Sequence, residues 1–177
     1  MRKSIFAVTL ASVLISGMNM AYASDGTINF TGEIKDASCT IDNGGALNIF
    51  LGTPGVESFK SVGDTSGAAR FNISLSNCPQ AQKKIQIAFE GIADENTGEI
   101  LKINDGNGTA TGVGIRIEEA DGTQVVLNTT EPSELKEHEL DLSGAVKVNY
   151  VAKYEATVVP VTPGPAEATA QFSIMYL

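Results

Sequence analysis

The chain has 177 residues, with 12 Lys and Arg against 21 Asp and Glu, and a formal net charge of -9. So acidic a chain is a poor partner for nucleic acid or an anionic membrane, and no stretch is apolar over a length that spans a bilayer. No tryptophan, one histidine and two cysteines leave little material for metal or redox chemistry.

The first 23 residues read as a secretory signal. Arg2 and Lys3 supply the positive start, residues 5–15 form a short apolar run, and Ala21-Tyr22-Ala23 fits a small-x-small cleavage site. Cleavage before Ser24 leaves 154 residues, a one-domain length. It removes two cations and no acid, which takes the formal charge to -11.

Segments of period two, the signature of half-buried strands, then follow one another. Residues 27–34 place Ile28 and Phe30 on one face, with Ile34 in phase. Strands are predicted next at 46–51, 70–76, 84–92 and 113–118. Asp121-Gly122, between Ile115/Ile117 and Val125/Leu127, predicts a tight hairpin into a strand at 123–127. Residues 131–142 carry Pro132 and mixed charge and read as a loop leading into a strand. Strands at 145–157 and 166–176 complete the series; in the last, Ala166, Ala168, Ala170, Phe172, Ile174 and Tyr176 alternate with mostly polar residues. Many short strands, regular turn signals and no helical periodicity predict an all-β sandwich. A strand that runs almost to the last residue needs neighbours to hold it.

In an oxidising compartment Cys39 and Cys78 predict one disulfide. Closing a loop of that length contributes about 4 kcal/mol in the chain-entropy model. Little else suggests chemistry. His138 lies between Glu137 and Glu139, whose side chains would alternate away from it, and reads as a solvated histidine. No Gly-x-Ser-x-Gly elbow is present. Asp105-Gly106-Asn107-Gly108 lacks the spaced acids of a calcium loop. The Asn-x-Ser/Thr triplets at Asn29, Asn72, Asn107 and Asn128 read as chance matches. No enzyme and no cofactor is expected.

Three groups of residues resemble the structural subunits of chaperone–usher pili, of the type 1 pilin kind. Gly26, Ile28, Phe30, Gly32 and Ile34, followed by Ala37-Ser38-Cys39-Thr40, resemble that family's N-terminal extension running into its first cysteine. Phe71, Ile73 and Leu75 before Cys78 resemble the strand carrying the partner cysteine. Tyr154, Ala156 and Thr157, then Gly164 fourteenth from the end, Ala168, Ala170, Phe172, Ile174 and penultimate Tyr176 resemble its C-terminal signature. A softer match covers Phe89, Gly91, Gly112, Gly114 and Ile115.

The resemblance implies an incomplete immunoglobulin-like β-sandwich that lacks its final strand and is completed in trans. It divides the chain into a signal peptide (1–23), a donor-strand extension (24–34) and a pilin domain (35–177). Ser24, Gly26, Ile28 and Phe30 would be donor-strand residues. Gly164, Ala168, Ala170, Phe172, Ile174 and Tyr176 would line or edge the acceptor groove and face a periplasmic chaperone. The implied partners are neighbouring pilus subunits, that chaperone and an outer-membrane usher, and the implied destination is the cell-surface fimbrium. Only Ser24 and Asp25 precede Gly26, a short extension that would suit a minor adaptor or terminating subunit. On the pattern alone, a complete, self-contained secreted sandwich in which the two terminal strands pair with each other stays open.

Overall fold

The computed structural model describes residues 38–177; the expected signal peptide, the extension 24–34 and the strand predicted at 27–34 lie outside the described residues. Within them the strands are β1 (Thr40–Ile41), β2 (Thr65–Ser76), β3 (Lys84–Gly91), β4 (Leu101–Lys102), β5 (Val113–Glu119), β6 (Glu137–Glu139), β7 (Val146–Ala156) and β8 (Ala170–Tyr176). Helical backbone among the described residues is confined to two 3₁₀ turns, Asp42–Gly45 and Val56–Ser58. The strands form a five-stranded sheet, β1-β2-β7-β5-β4, and a three-stranded sheet, β6-β3-β8, with every pairing antiparallel.

Alternation explains the core. Ile73 and Leu75 from β2, Val148 and Tyr150 from β7 and Ile117 from β5 meet Ile85, Ile87 and Phe89 from β3 in one buried cluster. Burying side chains of this size contributes about 1.5–3 kcal/mol each. Tyr150 ties the layers together, stacking on Phe71 of its own sheet at 5.4 Å and meeting Phe89 of the other edge-on at 5.1 Å. The Cys39–Cys78 disulfide is formed and buried in the same cluster.

The predicted strands at 70–76, 84–92, 113–118 and 145–157 are present as β2, β3, β5 and β7, and β2 begins five residues earlier. Three segments differ. Residues 46–51 join neither sheet: they form no ladder with any strand among the described residues, although Leu51 O packs against Gly67 of β2. Residues 123–127 make only isolated bridges, Gln124 with Glu118 and Leu127 with Phe89. The hairpin before them is closed by Glu119 N–H to Thr123 O at 2.8 Å and Gly122 N–H to Glu119 O at 3.0 Å. With Gly122 at φ +88° this is a three-residue loop with a left-handed glycine, not a two-residue Asp-Gly turn. The terminal strand starts at Ala170 rather than 166, because the segment before it bonds to a loop instead: Asn104 N–H to Glu167 O at 2.7 Å and Ala110 N–H to Pro165 O at 2.9 Å.

Candidate strand-acceptor groove beside the C-terminal strand

β8 has one partner among the described residues. It pairs with β3 from Ile85↔Tyr176 to Gly91↔Ala170 and forms the edge of its sheet. Leu177 N–H donates to Lys84 O at 3.2 Å, which marks the odd-numbered residues as those whose main chain bonds β3. Antiparallel ladders alternate. The N–H and C=O groups of Ala170, Phe172, Ile174 and Tyr176 therefore point away from β3, toward the open side.

That open side is hollow, and its part nearest the core has apolar walls. Leu47, Ile49 and Leu51 alternate along 46–51 and form one wall; Ala168, Ala170 and Phe172 form the other. Between them lies a cavity of about 180 Å³, floored by Phe71, Ile73, Phe89 and Ile115 of the core. The hollow continues past Asn104 and Tyr154 as a cavity of about 600 Å³. A further one of about 540 Å³ is lined by Phe50, Tyr154 and residues 161–167. Leu47 and Ile49 are each 38% exposed and Phe50 is 80% exposed. A hollow with apolar walls beside a strand edge whose outward main-chain groups have no partner among the described residues has the features of a surface that takes up a further strand.

The expected groove residues divide into two sets. Ala168, Ala170 and Phe172 line the hollow, and Gly164 stands at its far end, where a Cβ would collide with Gly108 O and Ala110 N. Ile174 and Tyr176 lie beyond the hollow and pack against the core. The Tyr176 hydroxyl accepts a hydrogen bond from Cys39 N–H at 3.0 Å. Buried Gln82 donates to both Lys84 O and Leu177 O and anchors the last residue. Ser24, Gly26, Ile28 and Phe30 lie outside the described residues.

The wall 46–51 and Phe50 are what sequence reasoning missed. Their period-two pattern was visible, but it signals a strand whether or not a neighbour exists. Tyr154, at the bend of the hollow, donates from its hydroxyl to Ala166 O at 2.8 Å, and burial and then nearby Glu167 raise the phenol above its usual value.

His138 corrects the reading of a solvated histidine. Its pairing with Ile85 puts the imidazole on the inward face, where the side chain is 12% exposed. Nε2 lies 3.6 Å from Glu119 Oε1 of the opposite sheet. Glu137 and Glu139 point outward, as alternation requires, but Glu119 arrives from 19 residues earlier in the chain. No group of His, Cys, Asp and Glu among the described residues can hold a metal ion.

The family model described as fimbrial protein matches residues 28–177. The chain belongs to the fimbrial protein family. Long polar fimbria protein A of Salmonella typhimurium is 32% identical over 99% of this chain and 97% of its own length. The fimbrial subunit type 1 of the same species is 30% identical over 99% and 100%. Among solved structures, the P pilus rod subunit PapA superposes with a TM-score of 0.65 at 24% identity, over 80% of this chain and all of its own. The type I fimbria protein BPSL1626 of Burkholderia pseudomallei does so with a TM-score of 0.59 at 32% identity, over 85% and 97%. The two-sheet body is thus the incomplete immunoglobulin-like sandwich of this family, and among the described residues no strand covers the free flank of β8.

Proposed function

We propose that the chain is a structural subunit of a bacterial surface pilus that polymerises by donor-strand exchange. The observation that carries this reading is the seven-residue uncharged edge β8 beside a continuous hollow. A strand laid there satisfies the outward main-chain groups of Ala170, Phe172, Ile174 and Tyr176 and fills the hollow with its side chains, a β-augmentation. Residues 24–34 of the next subunit are the donor: Ile28 and Phe30 enter the hollow, and Gly26 passes where it narrows. Ser24 leads the exchange. Each apolar donor side chain contributes about 1.5–3 kcal/mol on burial.

A periplasmic chaperone holds the edge first, because an exposed apolar edge invites aggregation. An outer-membrane usher then delivers the subunit to the growing fimbrium. The groove and the extension are different surfaces, so the contact is head-to-tail and the product an open filament.

Deleting residues 24–34 tests this. The truncated subunit is expected to bind chaperone and to take up a peptide of that sequence, yet to form no filaments by electron microscopy. Filaments from the truncated protein would overturn the reading.

A further inference from the structure

We propose that Asn107-Gly108 is a self-modifying site at which Asn107 converts to aspartate and isoaspartate. The chain has two Asn-Gly pairs, Asn43-Gly44 in the 3₁₀ turn Asp42–Gly45 and Asn107-Gly108. Asn107 and Gly108 are both exposed and form the centre of a turn spanned by Thr109 N–H to Gly106 O at 3.4 Å. Among the described residues, neither the Asn107 carboxamide nor the Gly108 N–H has a hydrogen-bond partner. Both reacting groups are therefore available.

Several other asparagines are restrained. The Asn128 carboxamide bonds Gly91 N–H and O, each at 3.0 Å. Asn77 is followed by Cys78, whose N–H donates to Gly144 O, and Asn96 by Thr97, whose N–H donates to Asp94. Asn72 and Asn149 sit opposite each other in the β2–β7 ladder.

The reaction needs only water. Gly108 N loses its proton and attacks Asn107 Cγ; the new N–Cγ bond forms as Cγ–Nδ2 breaks and ammonia leaves with a proton. Water then opens the resulting succinimide. Attack at Cγ breaks its bond to Gly108 N and yields aspartate. Attack at the main-chain carbonyl leaves the chain linked through Cγ, as isoaspartate with an extra methylene in the backbone.

The position gives the change a consequence. Gly108 O packs where a Cβ of Gly164 would be, and Ala110 holds Pro165 on the approach to β8. A backbone lengthened at 107 displaces that contact and loosens the far end of the groove. This part rests on the proposed function; the conversion itself does not.

The full-length protein is aged in mildly alkaline buffer at physiological temperature and its peptides are mapped by mass spectrometry, with isoaspartyl methyltransferase as probe. Acid and isoaspartate are expected at 107 ahead of every other asparagine. Asn107→Gln should abolish the signal there, and Gly108→Ala should slow it about tenfold, because a Cβ crowds the attacking nitrogen and restricts its backbone. No conversion at 107, conversion confined to Asn43, or an unchanged rate in Gly108→Ala would each overturn the proposal. Aged wild type, but not aged Asn107→Gln, should take up the peptide 24–34 more slowly. Equal uptake alongside a positive mass signal overturns the consequence at the groove and leaves the modification standing.

Discussion

The three-stranded sheet has two edges, and they are built in opposite ways. At β6 the edge is three residues long and reads Glu137-His138-Glu139, with Lys84 paired to Glu137 at 2.7 Å and Lys136 paired to Asp121. At β8 the edge is seven residues long, Ala170–Tyr176, and carries no charge. Short, charged edges are how soluble proteins discourage a second chain from pairing. Among the described residues the same sheet thus guards one flank and leaves the other without a partner, so the openness of β8 is a local property and not a general weakness of the fold.

Charging the open edge should erase the contrast. Ala170→Lys places an ammonium in the 180 Å³ hollow. Uptake of the peptide 24–34 is expected to weaken by about 3 kcal/mol or more, over a hundredfold, since a buried charge without a partner is costly. Binding titrations with the labelled peptide check it.

A smaller effect is expected where β8 is anchored. Tyr176→Phe removes the acceptor for Cys39 N–H and should lower stability by about 1 kcal/mol, read as a shift of the denaturation midpoint without a change in slope.

The smallest concerns the guarded flank. Lys136, one residue before β6, bonds Asp121 and, with Thr123 N–H, holds its carboxyl well below the usual carboxylate range. A carboxylate with a depressed folded pKa stabilises above its unfolded value, and that stability is lost as pH falls through the folded one. Asp121→Asn should therefore lower the melting temperature slightly at neutral pH, and the difference should close in strong acid; both sites are exposed, so salt should shrink it.

The strands were legible because period-two alternation is local: β2, β3, β5 and β7 follow from apolar residues two apart. Partnership is not local. Leu47, Ile49 and Leu51 alternate as well as any strand, but only the three-dimensional arrangement leaves them facing a hollow instead of a neighbour. His138 makes the same point: its own segment contains nothing to bury it, and the burial comes from Ile85 and Glu119. Asp121-Gly122 marked the hairpin, while the loop length depended on Glu119 and Thr123 closing it. The Cys39–Cys78 bond was legible from residue count and compartment, since two cysteines allow one pairing.

The hydrogen bond from Cys39 to the hydroxyl of Tyr176 joins the start of the described body to the penultimate residue of the chain. In a filament joined as proposed, a pull arrives through the extension just before Cys39 and is handed on through β8. The two points touch, so tension crosses each subunit by a short route, through that contact and the shear of β8 along β3, and most of the sandwich is spared the load.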